Sequence, residues 1–344
     1  MSEAVLRFPE NEAPLFLVWG PPSYGPRSKL LAKAIGAHIE FVHRTQRRGF
    51  LASPAKYLYQ TVRTLRLLRD RRPGIVFVQN PPSFLALLVW MTSRGTGRRI
   101  VVDSHSDAFQ SWYWTRPRLL YRALARGLAA TVVTNDLFAD LVRSWGGTAV
   151  VLQDIPARFP DGGTYSFDEA FNVTVVNTFA DDEPLAAVMS AAGQLDDVRF
   201  HVTGNTKRAE RGLIASAPPN VTFTGFLTDE DYFALLRGSD AVMCLTTRDN
   251  TMQRGACEAL SLGRPIVTSD WPILRSYFSA GTVHVDNTVG GIKEGVEAVR
   301  HDPAAHRQGI SALQALQRDQ FAASFRVLAE QLGAEFVVDN GVDP

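Results

Sequence analysis

Apolar and polar positions alternate along the chain in two rhythms. Short runs in which almost every residue is apolar, such as LFLVW (15–19), IVFV (75–78) and AVMCL (241–245), read as strands buried on both faces. Longer stretches with apolar residues three and four apart, such as AASFRVLAEQL (322–332), read as amphipathic helices. The pattern predicts strands at 15–19, 39–42, 75–78, 99–102, 131–134 and 149–152, and again at 173–176, 199–202, 221–224, 241–245, 265–268 and 282–285. Strands that alternate with helices in this way imply βαβ units, and hence parallel sheets.

Between the two series lies DIPARFPDGGTYSFDEAF (154–171), rich in Pro, Gly and Asp and without periodicity. It divides the chain into an expected first domain over 1–155, a linker over 156–170 and a second domain over 171–318. A helical stretch over 319–344 is expected to cross back to the first domain, with the end VVDNGVDP frayed. Two doubly wound sheets in tandem place ligands at the carboxyl ends of their strands, so the cleft between the domains is the expected site.

Composition narrows the class. The 344 residues are 45 % hydrophobic and 21 % charged, as in an ordinary soluble globular protein. The two cysteines, Cys244 and Cys257, lie in apolar runs and read as small buried hydrophobes rather than a disulfide framework. The start MSEAVLRFPENEAP is acidic and interrupted by proline, unlike a signal peptide, and the apolar run at 75–91 is broken by QNPPS. A cytoplasmic protein is therefore expected. The net charge of +1 hides an asymmetry, with 22 Lys/Arg against 10 Asp/Glu in residues 1–160 and 14 against 25 in residues 161–344. Halves of opposite sign suggest different partners.

Candidate chemistry begins in TTRDNTMQRGACEALSLGRPIVTSD (246–270). A helix is expected from about Thr251 to Gly263, and its unsatisfied N–H groups around Thr251, Met252 and Gln253 would suit an anion. Glu258 lies two turns along, beside Ala256, Cys257 and Leu260. A carboxylate there is either an ordinary helix glutamate paired with arginine or an acceptor for vicinal hydroxyls such as those of a ribose. In the first half, RRIVVDSHSDAF (98–109) sets Asp103, His105 and Asp107 just past a strand. The loop WGPPSYGPRSK (19–29) holds Gly20 and Gly25, which would let backbone approach a diphosphate, yet matches neither a dinucleotide fingerprint nor a P-loop. Residues 44–72 carry nine Lys/Arg and one acid. The TVRTLRLLRDRR portion reads as a basic amphipathic helix suited to an anionic membrane through Arg47, Arg48, Arg63, Arg66 and Arg69. A solvated helix packed on the sheet is the plainer alternative. No nucleic-acid motif accompanies the charge, so nucleic acid is not an expected partner.

One segment carries a family resemblance. A Gly-Phe turn (Gly225-Phe226), an acidic helix start (Asp229-Glu230-Asp231), GSDAVMCLT (238–246), EALSLGRPIV (258–267) and a closing Gly281 resemble, in order and spacing, the donor-binding half of GT-B glycosyltransferases of the family 4 type. The resemblance implies two Rossmann-like domains facing a central cleft and a hexosyltransferase acting from a nucleoside-diphosphate sugar, with retention, with no metal and with no other cofactor. It implies that Glu258 holds the ribose, backbone near Phe226 and Leu227 edges the base, and Thr251, Met252 and Arg254 meet the diphosphate. Gly204, Lys207, Arg248 and Asp249 fall in loops around the same donor. His105 corresponds to a loop histidine near the reacting sugar, able to bond a hydroxyl or take the acceptor proton. The expected acceptor is a glycan or lipid-linked glycan, with the enzyme peripheral on the inner membrane face.

Two departures stand out. The family's Glu-x7-Glu pattern has Asn250 at its first position, an amide without charge. The loop NTFADDEP (177–184) bears three acids where the family supplies Arg and Lys, which leaves Arg248, Arg254 or Lys207-Arg208 to supply the charge. Asp181, Asp182 and Glu183 read as helix caps or, less simply, as metal ligands. A sugar-nucleotide epimerase of the same fold, or a non-catalytic sugar-nucleotide or membrane-binding module, are the rival functions.

Overall fold

The computed structural model describes residues 3–9, 12–22, 26–43, 52–110, 118–153, 162–167, 170–210 and 212–339. In chain order, the first half contains β1 (Glu3–Arg7), β2 (Leu15–Val18), α1 (Pro26–Ala34), β3 (His38–Phe41), α2 (Ala52–Arg71), β4 (Ile75–Asn80), α3 (Ser83–Ser93), β5 (Arg99–Ser104), α4 (Asp107–Gln110), α5 (Arg118–Arg126), β6 (Ala130–Val133), α6 (Asp136–Ser144) and β7 (Ala149–Val151). The second half contains β8 (Phe171–Val175), α7 (Leu185–Ala192), β9 (Val198–Thr203), β10 (Val221–Gly225), α8 (Asp229–Gly238), β11 (Ala241–Cys244), α9 (Arg254–Ser261), β12 (Ile266–Ser269), α10 (Pro272–Tyr277), β13 (Thr282–Val285), α11 (Val289–His301), α12 (Pro303–Leu332) and β14 (Glu335–Asp339).

The chain forms two compact units, one of residues 1–155 with 319–344 and one of residues 156–318. The first holds a parallel sheet in the order β3-β2-β4-β5-β6-β7. β2, β4 and β6 are buried along their whole length, as sheets covered on both faces require. On one face Phe16, Val18, Phe77, Val101 and Val132 pack with Phe325, Leu328, Ala329 and Leu332 from the end of α12. On the other, Leu17, Val76, Val78 and Val102 pack with Leu67 and Leu68 of α2 and with Leu85 and Val89 of α3. α2 is further tied down by Trp19, which donates to Thr64 Oγ1 (2.9 Å), and by Gln60, which donates to the Val42 carbonyl (2.9 Å).

The second unit holds a parallel sheet in the order β10-β9-β8-β11-β12-β13. The order reverses between β8 and β11, which makes the loops after those two strands the switch point at which such sheets bind ligands. Val173, Val175, Phe200, Met243 and Val267 pack against α7 and α11, whereas Val242, Cys244 and Ile266 pack against α9, α10 and the first turns of α12 through Ile310 and Leu313. Cys244 and Cys257 are both buried and unbridged.

All twelve strands expected from the apolar pattern are present, with ends moved by a residue or two. Two strands were not expected. β1 and β14 pair antiparallel from Glu3↔Asp339 to Arg7↔Glu335, so Val337, Val338 and Asp339, which read as frayed, are paired backbone. Short alternating segments at the two ends of a chain carry no local sign that they are partners. After Gly290 the helical stretch breaks at Asp302, where Pro303 opens α12. No helix among the described residues is long and apolar enough to cross a membrane.

The last turns of α12 pack into the first unit's core beside Leu31, Ala32 and Ile35 of α1, and Phe325 there is fully buried. Phe325→Ala should therefore cost that unit about 3–5 kcal/mol in chemical denaturation. A loss under 1 kcal/mol would mean that α12 does not belong to this core.

Candidate functional site

In the second unit the site is assembled from the loops that leave β8 and β11. β11 ends at Cys244, and Thr246 is then locked in place: its N–H donates to Ser269 Oγ (2.8 Å), while its carbonyl accepts from Trp271 Nε1 (2.9 Å) and Asn287 Nδ2 (3.0 Å). The Thr246 hydroxyl donates to Asp182 Oδ2 (2.7 Å), and the Thr247 N–H donates to the Asp182 carbonyl (2.7 Å). Asp182 thereby staples the β8 loop to the β11 loop, and Arg248 lies 3.6 Å from its other oxygen.

The neighbouring acid has a different task. Glu183 accepts from the Thr178 N–H (2.8 Å), the Thr178 hydroxyl (3.0 Å) and the Ala180 N–H (2.9 Å). Phe179 between them has φ 59° and donates its own N–H to Asn177 Oδ1 (2.8 Å), so the N–H groups on either side of it converge on one anion, and here that anion is a side chain. The reading of Asp181, Asp182 and Glu183 as caps is thus corrected: α7 begins at Pro184 without a side-chain cap, and Asp182 and Glu183 hold the loops. Among the described residues no three His, Cys, Asp or Glu side chains converge as metal ligands.

Past Arg248 the chain turns through Asp249 and Asn250, with Asn250 at φ 55°, a conformation that asparagine tolerates better than glutamate. The Asp249 carboxylate accepts the Asn250 N–H (2.6 Å), and the Asp249 carbonyl accepts the Thr251 hydroxyl (3.2 Å). The helix expected from Thr251 begins only at Arg254, with Gln253 as its cap. Thr251 and Met252 precede the helix, so its unsatisfied N–H groups belong to the turn that starts at Arg254. Gly263 ends the helix at φ 73°, as its position suggested.

Glu258 sits on this helix at 9 % exposure. Its Oε2 accepts from the Tyr232 hydroxyl (2.7 Å) and its Oε1 accepts from Arg254 Nε (2.7 Å). Burial and the adjacent Glu258 push the Tyr232 phenol well above its usual range, which keeps the proton on Tyr232. Two lone-pair directions stay open on the carboxylate for a ligand. The remaining guanidinium nitrogens of Arg254 have no acid partner among the described residues, and they lie at a helix N-terminus with no acid in its first turn. That is an anion-binding arrangement next to a carboxylate.

Gly204 follows β9 at φ 113°, where a Cβ would fall 2.3 Å from the Asn177 carbonyl. The glycine is needed for the loops to pass each other, whatever the ligand. Lys207 and Arg208 are exposed in a short turn capped by Asn205. Phe226 is 85 % exposed directly after β10, with Leu227 half-buried beside it.

The first unit carries a second polar cluster at the carboxyl ends of β4, β5 and β7. Asp103, the penultimate residue of β5, is fully buried. It accepts from Arg27 Nε (3.4 Å) on one oxygen and lies 3.2 Å from His105 Nε2 on the other. Burial alone would raise the Asp103 carboxyl, but the charge of Arg27 and the contacts with His105 outweigh it and hold the group below the ordinary carboxylate range. Arg27 also donates to the carbonyls of Leu152 (2.7 Å) and Gln153 (2.9 Å). Around this core, Ser28 donates to Gln79 (2.8 Å), Asn80 to Ser104 (3.2 Å) and Ser83 to Asn80 (2.9 Å). His105 was expected here, whereas Arg27 was not. Gly20 is buried at the exit of β2, and Gly25 lies outside the described residues.

α2 is the basic amphipathic helix that the sequence suggests. Its outer face exposes Arg63, Arg66 and Arg69 together with Leu58 (66 % exposed), Val62 (38 %) and Leu65 (40 %), which follow one another at helical spacing. Arg69 pairs with the adjacent Asp70. Arg47 and Arg48 lie outside the described residues.

Comparison with known proteins fits this architecture. Residues 16–156 match the family Glycosyl transferase 4-like domain and residues 182–315 match the family Glycosyl transferases group 1. The chain belongs to the GT-B glycosyltransferases of the family 4-like type. It is 30 % identical over 152 residues to the chitobiosyldiphosphodolichol beta-mannosyltransferase of Mus musculus, covering 39 % of this chain and 31 % of that protein. It is 23 % identical over 270 residues to the Pongo abelii protein of the same name, covering 70 % and 53 %. The chain thus spans between a third and about half of the length of these relatives. Among solved structures it shares its fold with a sucrose-phosphate synthase of Thermosynechococcus elongatus (TM-score 0.66, 13 % identity, 92 % of this chain and 99 % of that one). It also shares it with the Anabaena protein HepE in complex with UDP and glucose (TM-score 0.61, 14 % identity, 94 % and 99 %).

Tyr232 was not anticipated as a site residue, and its hydroxyl spends its hydrogen bond on Glu258. Tyr232→Phe should lower the stability of the protein by about 1–2 kcal/mol, measured by chemical denaturation. Glu258→Gln should do less harm, because the amide oxygen still accepts from Arg254 while its NH2 donates to the Tyr232 oxygen. The reverse order would show that the Tyr232–Glu258 bond contributes little.

Proposed function

We propose that this glycosyltransferase moves a hexose from a nucleoside-diphosphate sugar to a hydroxyl of a lipid-linked glycan. The observation that carries the reading is Arg254 at the start of α9 beside the buried carboxylate of Glu258, at the switch point of the second sheet. An N-terminal helix turn and a guanidinium suit a diphosphate, and a carboxylate one turn further suits vicinal ribose hydroxyls. The UDP and glucose in the HepE structure and the lipid-linked glycan named in the mannosyltransferase relatives support the same substrate classes.

In this reading Phe226 and Leu227 edge the base. Asn250 and Asp249 face the sugar, and Thr251, Met252 and Gly204 shape the pocket. Arg254, Arg248 and Lys207 neutralise the leaving diphosphate, so no metal ion is assigned to the step; Arg248 must turn from Asp182 to do so. In the first unit, Gly20 and Gly25 are assigned to substrate binding and His105 to the chemical step. Family 4 likeness implies retention, whereas a protein base that takes the acceptor proton would impose inversion.

The outer face of α2 is assigned to an anionic membrane surface on the cytoplasmic side, with Arg63, Arg66 and Arg69 over headgroups and Leu58, Val62 and Leu65 at the acyl boundary. Arg47 and Arg48, outside the described residues, are assigned to the same surface. The assignment suits a lipid-linked acceptor.

Calorimetry with UDP, GDP and their glucose, mannose and N-acetylglucosamine conjugates tests the donor site. One nucleotide series should bind, and Glu258→Ala should weaken it by roughly 10-fold or more, the loss of about 1.4 kcal/mol from a charged hydrogen bond. Unchanged affinity in Glu258→Ala would sink the assignment. Transfer should persist in EDTA. Flotation on vesicles containing phosphatidylglycerol should fall by roughly 100-fold when Arg63, Arg66 and Arg69 are all replaced by Gln, at about 1 kcal/mol per charge. Equal flotation would remove the membrane from the reading.

A further inference from the structure

The loop that leaves β8 holds an anion, and the anion it holds is its own. Glu183 Oε2 accepts the N–H groups of Thr178 (2.8 Å) and Ala180 (2.9 Å), and Oε1 accepts the Thr178 hydroxyl (3.0 Å). The loop is braced in this shape from behind, because Asn177, whose side chain takes the Phe179 N–H, is buried and donates its own N–H to Thr203 Oγ1 of β9 (3.2 Å). Hydrogen bonds from backbone to an ionised carboxylate are among the stronger ones. The carboxylate is also tethered close by: the Glu183 N–H donates to the Ala180 carbonyl (3.0 Å), and its carbonyl accepts from the Leu185 N–H (2.8 Å). Next to it, Asp182 is stapled to Thr246 and Thr247.

The place of this anion seat gives it meaning. β8 borders the reversal of strand order, and the turn after such a strand is where parallel sheets ordinarily take up phosphate. Two observations set the seat beside the groups assigned to the donor. Gly255, the second residue of α9, lies so close to Val176 that a Cβ on it would fall 2.7 Å from Val176 Cγ1, so the helix turn that starts at Arg254 rests on the beginning of the β8 loop. Cys244, at the end of β11, has both carboxylates as neighbours: burial first, then Glu258 and Glu183, push its thiol well above the usual range. Residues 177–198 nevertheless hold no Lys or Arg. We infer that Glu183 is a specificity-determining residue, which permanently fills the anion seat of the β8 loop, shuts the donor's phosphates out of it and leaves the diphosphate to the β11–α9 side. The inference rests on the proposed donor site and adds which of its two loops takes phosphate. A ligand phosphate would have to expel a carboxylate tethered to the same loop, and the other charges of that loop, Asp181 and Asp182, are negative as well. Arg254 and Arg248 thus carry the part that a cationic β8 loop would share.

Amide spectra of the nitrogen-15-labelled full chain with inorganic pyrophosphate, together with calorimetry on the mono- and diphosphates of uridine and guanosine, test this. In the wild type, pyrophosphate should leave the Thr178 and Ala180 amides in place. In Glu183→Ala it should move both. The preference for the nucleoside diphosphate over its monophosphate should then rise by roughly 10-fold, the effect of freed N–H donors and of one like charge removed. Glu183→Gln keeps an acceptor oxygen in the seat without the charge, and its preference should rise by roughly threefold. A Glu183 that only braced the loop would leave that preference where it is in both variants. Movement of both amides in the wild type, unmoved amides in Glu183→Ala, or a preference unchanged in the variants would each overturn the inference. Should Glu183→Ala fail to fold, the wild-type spectra and Glu183→Gln decide. If no uridine or guanosine nucleotide binds the wild type or either variant, the donor reading fails instead, and the response of the two amides to pyrophosphate still decides whether Glu183 is a fixed occupant.

Discussion

A parallel strand covered on both faces can present polar groups only where it ends. That constraint organises everything else in this protein. β2, β4 and β6 in one sheet, and β11 and β12 in the other, are buried from end to end, so their side chains are committed to packing. Chemistry is left to the few residues at or just past each carboxyl end: Asp103 to His105 at the end of β5, Thr246 to Asn250 after β11, and Phe226 after β10. The switch in strand order between β8 and β11 then opens room for a ligand at those ends. The same rule explains why the two units carry separate polar clusters of different composition.

Within those clusters, charges are held in pairs. Asp182 meets Arg248, Glu258 meets Arg254, and Asp103 meets Arg27. The pairs differ in exposure, and so in what they can do. Arg248 is mostly exposed and its link to Asp182 is long, so it can be given up to an arriving anion at little cost. Arg27 is held at four-fifths burial or more by three acceptors and is not free to leave. One arginine is therefore suited to a ligand and the other to the support of a neighbour. Glu183 adds a third case, a carboxylate that satisfies loop N–H groups which would otherwise attract any passing anion.

The apolar runs made most of the fold legible, because a strand buried on both faces has a local signature that needs no knowledge of its neighbours. The helix that carries Glu258 was legible for a similar reason: it lies between a buried strand and a glycine stop. What could not be read were contacts distant in sequence. Arg27 and Asp103 are 76 positions apart, Tyr232 and Glu258 are 26 apart, and β1 finds β14 across the whole chain. The start of α9 was misplaced by three residues because Asn250 takes a left-handed turn and spends Thr251 to Gln253 on the approach to the helix. The acids at 181–183 look like helix caps in sequence, and only the folded loops reveal that two of them bind elsewhere.

The first unit is not continuous in sequence, since it requires both residues 1–155 and residues 319–344, whereas the second is a single run from 156 to 318. On a ribosome, the half made earlier is therefore the half completed later. Until α12 and β14 emerge, the face formed by Phe16, Phe77 and Val132 lacks the wall that Phe325 and Leu328 provide. A nascent chain therefore carries a partly uncovered apolar sheet face until the end of α12 is made, a demand on chaperones that a tandem of two self-contained domains would not make.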